Sequence, residues 1–123
     1  MRTADKILIV DDDSEMALLM RDILTSNHYE VLVASNGLDA VDKSNKERVD
    51  LILLDIRLPL LSGFFFCEAF RKKPETRDIP VVVVSSLAGE ENVQKAYRMG
   101  AVDYLKKPFE SKDLLKVVRK ALA

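Results

Sequence analysis

The sequence predicts a doubly wound α/β fold, a parallel sheet with helices on both faces, and two observations carry that expectation. Apolar, β-branched runs of strand length recur at Ile7–Val10, Val31–Ala34, Leu51–Leu54, Val81–Val84 and, more weakly, Val102–Leu105. Each is followed by a segment of helical periodicity, which makes five βα units. Strands composed almost wholly of Val, Ile and Leu are those buried on both faces, as in a parallel sheet sandwiched between helices. Right-handed crossovers then set the winding.

The helices follow in order. From Ser14 to Ser26, Met16, Leu19, Met20, Ile23 and Leu24 are placed on one face, with Glu15, Arg21 and Asp22 opposite. Gly37–Lys46 is a shorter, weaker helix carrying Leu38, Ala40 and Val41, and Phe64–Lys72 is a third, closed off near Pro74. Glu90–Met99 is a fourth, ending at Gly100, a residue type suited to a helix C-terminus. The last is expected to start with Ser111 as N-cap and to bury Leu114, Leu115, Val118 and Leu122.

A chain of 123 residues, 48% hydrophobic, fits one domain with a core that needs no metal or disulfide staple. A net charge of −1 with both signs scattered gives no footprint for nucleic acid or an anionic membrane. The single cysteine, Cys67, cannot form an internal disulfide, and the apolar stretch after "MRTADK" is too short for a signal peptide. No apolar run is long enough to span a membrane, so a soluble, cytoplasmic protein is expected.

In such sheets ligands bind beyond the carboxyl ends of the strands. The polar residues there are Asp11, Asp12 and Asp13 after the first strand, Asp55 after the third, Ser85 and Ser86 at the fourth, and Lys106 and Lys107 at the fifth. Carboxylates gathered without Cys or His suit a hard cation, and Mg2+ is the expected counter-ion. Metal, ammonium and hydroxyl together suit a phosphoryl group. His28 is expected on the opposite edge and Cys67 inside a helix, so neither is placed to be the nucleophile. A carboxylate can itself attack phosphorus, and Asp55, alone at its strand end, is the better candidate.

With these residues in place the chain resembles the receiver domain of a two-component response regulator over essentially all its length, residues 1–123. The resemblance rests on "ILIVDDD", "LILLDIRLP", "VVVVSS" and "GAVDYLKKPF", in that order and at matching spacing. It implies a flavodoxin-like (βα)5 fold with strand order 2-1-3-4-5. It further implies that Asp12 binds Mg2+ directly with Asp11 assisting, that Asp55 is both ligand and phosphorylation site, and that the Arg57 carbonyl completes the protein ligands. Ser85 would bond a phosphoryl oxygen, Lys107 would pair with the phosphoryl group, Tyr104 would be the aromatic switch residue, and Lys107–Pro108 would be a cis peptide. The implied partner is a sensor histidine kinase or phosphotransfer protein, whose phosphohistidine supplies the group. Ser85 moving toward the phosphoryl group would open space for Tyr104 and remodel the face formed by helix four, strand five and helix five. The output partner or domain is not specified, and a phosphorylation-dependent homodimer stays open.

Other residues have plainer expected roles. Asp13 caps the first helix rather than binding metal. Lys106 is solvated, Phe66 and Phe70 belong to the core, and Phe65 falls where the family carries an exposed polar residue. Ser62 stands where the family often has an acidic residue, and His28 closes the first helix where the family often has glycine, which implies a left-handed conformation at Asn27 or His28. Arg57 and Leu87, a bulky cation and a bulky apolar group beside the site, are expected to hinder attacking water and prolong the phosphorylated state. Two other readings are a haloacid-dehalogenase-like phosphatase with Asp11 as nucleophile and Asp13 as its partner, and a receiver-like docking module that is never phosphorylated. The former normally needs a longer chain and leaves Asp55 without a role.

Overall fold

A computed structural model describes residues 4–57, 63–87 and 89–123, with Phe64 described in its backbone alone; the Ser62 position lies outside the described residues. The elements alternate as β1 (Lys6–Val10), α1 (Ser14–Thr25), β2 (Glu30–Ala34), α2 (Gly37–Lys46), β3 (Leu51–Leu54), α3 (Gly63–Lys72), β4 (Val81–Ser85), α4 (Glu90–Arg98), β5 (Asp103–Lys106) and α5 (Ser111–Leu122). All strand pairs are parallel, in the order β2-β1-β3-β4-β5. This is the expected doubly wound, flavodoxin-like fold, and the order reverses beside β1, between its neighbours β2 and β3.

The strands are apolar throughout because alternate side chains serve two different cores. Ile7, Ile9, Leu51, Leu53, Val82 and Val84 point to one face, where Met20 and Leu24 of α1 and Leu114 and Val118 of α5 cover them. Leu8, Val10, Ile52, Leu54 and Val81 point to the other, under Ala40 of α2 and Phe66, Cys67 and Phe70 of α3. The Phe66 and Phe70 rings pack with centroids 4.4 Å apart, and Phe65 on the outer side is 61% exposed. No described helix is long and apolar enough to cross a membrane.

Helix ends show where side-chain chemistry sets the boundaries. The Asp13 carboxylate accepts from the N–H groups of Glu15 and Met16, as an N-cap should. His28 adopts φ 72°, the expected left-handed stop after α1. Gly100 has φ +107°, and a Cβ there would run into the Arg71 side chain, with Nε only 2.6 Å away.

Four expectations need correction. Ser111 is the first residue of α5, not its cap; Glu110 is the cap, because Asp113 reaches back to accept from its N–H at 3.0 Å. The last strand begins one residue later than expected, leaving Val102 51% exposed. Helix α4 ends at Arg98, one residue before the expected Met99, which instead takes the C-cap. Leu19 is 50% exposed. It lies about 100° round the helix from Met20, at the margin of the buried stripe, whereas Ala17, closer to that stripe's centre, is buried.

Cys67 is 2% exposed and burial pushes its thiol up to about 12. The folded chain is therefore expected to resist a thiol-specific disulfide reagent at pH 8 and to react rapidly only once unfolded in denaturant. Comparing the two labelling rates checks this, and comparable rates would contradict the buried placement.

Candidate functional site

The sheet register creates the site. Val10 pairs with Leu54 across β1 and β3, so the next residue of each strand, Asp11 and Asp55, emerges side by side. The backbone holds both in place: the Asp11 N–H donates to the Ala34 carbonyl at 3.0 Å and the Asp55 N–H to the Val10 carbonyl at 2.9 Å. On the far side, Ser85 pairs with Lys106, and the Lys107 N–H donates to the Ser85 carbonyl at 3.0 Å. The peptide bond that follows, Lys107–Pro108, is cis. Helix α3 begins against the end of β3 at Gly63, where any Cβ would lie 3.0 Å from the Asp55 carbonyl oxygen and closer still to Ile56.

Asp11 and Asp55 are 2% and 8% exposed, so both carboxylates need compensation. They share it. Lys107 Nζ lies 2.7 Å from Asp11 Oδ2 and 3.2 Å from Asp55 Oδ2. Each remaining carboxylate oxygen accepts a backbone N–H, that of Asp13 for Asp11 at 3.0 Å and that of Arg57 for Asp55 at 2.9 Å. Burial pushes the Asp11 carboxyl up, against the pull of Lys107 and of the Asp13 N–H. Burial works to lower Lys107, but its bonds and charge attraction to Asp11 and Asp55 prevail and raise it, so the ammonium stays charged.

Asp12 is exposed, yet carboxylate oxygens of Asp11, Asp12 and Asp55 lie within 4.8 Å of one another. Three carboxylates face one ammonium, which leaves two negative charges in excess. A hard divalent cation with oxygen ligands fits this donor set in charge and in chemistry. The group opens into a cleft of about 340 Å3 lined by Asp12, Asp13, Asp55, Arg57, Ser86 and Lys107.

The structure thus brings together Asp11, Asp12, Asp55 and Lys107, with Arg57 at the rim. Ser85 is fully buried, and its Oγ accepts the Leu87 N–H at 3.2 Å. Its neighbour Ser86, passed over in favour of Ser85, is the serine that lines the cleft; only its adjacency hinted at this. Leu87 does not line the cleft. It packs instead against Ile56, Val83, Ala96 and Ala101, which removes the shielding expected of its side chain. Tyr104 is half-buried against the same cluster and its hydroxyl donates to the Leu87 carbonyl. Burial pushes the Tyr104 phenol up, the Ser85 hydroxyl opposes this, and the Asp55 charge adds to it.

Comparison with known proteins bears on the family and the fold. The family model for the response regulator receiver domain matches residues 7–119. The protein PilH of Pseudomonas aeruginosa is 37% identical over 118 residues, covering 96% of this chain and 98% of PilH. Response regulator PleD of Caulobacter vibrioides is 36% identical over 114 residues, 93% of this chain. The chain spans only 25% of PleD, and 47% of the probable transcriptional regulator ycf27 of Porphyra purpurea. Among solved structures, the chemotaxis protein CheY4 of Vibrio cholerae superposes with a TM-score of 0.93 at 31% identity, covering 98% of this chain and 100% of that one. The receiver domain of the sensor histidine kinase PA1611 from Pseudomonas aeruginosa, which has a magnesium ion coordinated in its active-site cleft, gives 0.89 at 28% identity and covers 98% of each chain. With nearly the whole chain matched in sequence and in fold, the protein belongs to the response regulator receiver domain family.

Proposed function

We propose that this chain is a single receiver domain that accepts a phosphoryl group on Asp55 from the phosphohistidine of a cytoplasmic sensor kinase or phosphotransfer protein. The observation that carries this reading is the Asp55 carboxylate itself: buried, oriented by the Arg57 N–H, bonded to Lys107, and opening on the cleft. In the transfer a carboxylate oxygen forms a bond to phosphorus. The P–N bond to the donor imidazole breaks, and its electron pair returns to the imidazole. Lys107 already faces the carboxylate, so its ammonium meets the charge of the arriving phosphoryl oxygens without first being desolvated. Ser85 would hydrogen-bond one of those oxygens, and Ser86 stands at the cleft wall as a second hydroxyl.

Asp11, Asp12, Asp55 and the Arg57 carbonyl would hold Mg2+, as the PA1611 receiver holds magnesium in its cleft. When bound, the ion supplies the two positive charges the carboxylates lack and draws off charge from the phosphoryl oxygens. The output is an altered surface over α4, β5 and α5, read by a partner or by a domain outside this chain. The chain carries no basic footprint for nucleic acid, so direct DNA contact is assigned elsewhere.

Incubation with phosphoramidate in Mg2+ tests the reading. One phosphoryl group per chain, seen by intact mass and released by hydroxylamine, is expected; no uptake would favour the docking-only alternative. Arg57 bears on how long the group persists, because it is one of the residues that line the cleft. Arg57→Asn is expected to speed dephosphorylation at least about threefold, a barrier change of about 0.6 kcal/mol. Release of inorganic phosphate from the purified phosphoprotein measures it. Leu87→Glu should act by loosening the loop rather than by admitting water.

A further inference from the structure

The sheet ends in two edge strands, β2 and β5. An edge strand offers backbone N–H and C=O groups to any other extended chain. On β2 the bonds to β1 run through alternate residues: the Glu30 N–H donates to the Asp5 carbonyl at 3.0 Å, and the Ala34 carbonyl accepts the Asp11 N–H at 3.0 Å. Glu30, Leu32 and Ala34 therefore face β1, and Val31 and Val33 turn their backbone groups out of the sheet. The side chains of Val31, Leu32 and Val33 pack into the two cores, so backbone is what this edge presents.

One side chain reaches across it. Lys43 comes off α2, and its ammonium donates to the Val33 carbonyl. Asp39, one turn earlier on the same helix, accepts from that ammonium at 3.1 Å and holds it over the edge. Asp39 is itself fixed where α2 begins, its N–H donating to the Asn36 side chain at 2.8 Å. A neighbouring strand could reach Val33 only by displacing the ammonium or by burying its charge.

We propose that Lys43 is a lock on the β2 edge, and that the partner it excludes is β2 of a second copy of this chain. The edge is complementary to itself. In an antiparallel pair centred on Leu32, Val31 of one copy and Val33 of the other exchange both backbone bonds, and Glu30 falls opposite Ala34, so no like charges are opposed. Each Lys43 holds one acceptor that this pair requires and brings a cation into the seam, which keeps the chain unpaired at this edge. β2 lies at the far end of the sheet from β5, so a dimer formed there would leave β5 at the opposite edge.

Sedimentation velocity on the full chain over a concentration series, with amide exchange read residue by residue by NMR, tests this. In the parent chain the Val31 and Val33 amides are expected to exchange fast at every concentration. Lys43→Ala should dimerise as concentration rises and slow exchange at both amides at least about tenfold. Lys43→Met, which keeps a long side chain suited to a helix but no ammonium, gives the same reading should the alanine variant fail to fold. Lys43→Arg keeps a cationic donor and should behave as the parent. Alanine and methionine variants that stay monomeric, a dimer whose Val31 and Val33 amides stay fast, or a Lys43→Arg dimer overturns the proposal. Slow exchange at both amides in the monomeric parent overturns it as well, because something other than Lys43 would then close the edge, and that reading needs no variant.

Discussion

Asp55→Asn is expected to take up no phosphoryl group from any donor while keeping its fold. The substitution is close to isosteric and removes one of three crowded negative charges, so nothing in the packing of Leu54 or Ile56 is disturbed. What disappears is the nucleophile, because an amide has no anionic oxygen to offer phosphorus. The uncharged group also ceases to attract Lys107, which then pairs with Asp11 alone. Asp11→Asn should slow uptake and leave the label on Asp55. Intact mass and hydroxylamine release on the two variants separate these outcomes. A label that survives Asp55→Asn and is lost in Asp11→Asn would make Asp11 the nucleophile, as a dehalogenase-like enzyme requires. The Asp13 carboxylate argues against that in advance, since it is already engaged with the first turn of α1.

Much of this site could be read from the sequence because strand ends are legible there. A Val/Ile/Leu run stops where a charged residue would have to enter the core, so Asp11, Asp55 and Lys107 mark the sheet edge by their position alone. What periodicity cannot give is lateral order. Lys107 follows β5, three strands away from β1, and its reach to Asp11 depends on β3 and β4 lying between them in one twisted sheet. The resemblance paired Lys107 with the phosphoryl group, and its bond to Asp11 is a finding of the structure.

The misreadings share a cause: a residue's type permits two geometries and its surroundings in the fold choose between them. Ser111 is a good cap by type, but Asp113 answers to the N–H of Glu110 and the helix starts accordingly. Leu87 beside a polar cleft looks like a shield until Ala96 and Ala101, brought in by α4 and its exit, offer it a buried seat. Val102 is as β-branched as its neighbours, yet β5 at the sheet edge leaves it in solvent.

The adjoining residues Asp12 and Asp13 give the sharpest separation of binding from folding. Asp12 is exposed and forms no side-chain hydrogen bond or ion pair among the described residues, while its carboxylate adds to the negative excess shared with Asp11 and Asp55. Asp12→Ala should therefore cost no stability without Mg2+, and relief of repulsion should raise it slightly. The same change should abolish phosphorylation and remove the stabilisation by Mg2+, which for an intact site at ten times its dissociation constant amounts to about 1.4 kcal/mol. Asp13→Ala should do the reverse. It strands the Glu15 and Met16 N–H groups at the start of α1, so stability falls by about 1 kcal/mol, or about 4 °C in Tm for a domain of this size. The rate of phosphorylation and the Mg2+ response should stay near those of the parent chain. Thermal unfolding with and without Mg2+, alongside uptake from phosphoramidate, reads both variants. If Asp13→Ala lost the Mg2+ response and Asp12→Ala kept it, the two roles would have to be exchanged, because one carboxylate cannot cap α1 through both N–H groups and also be the exposed ligand that draws the cation.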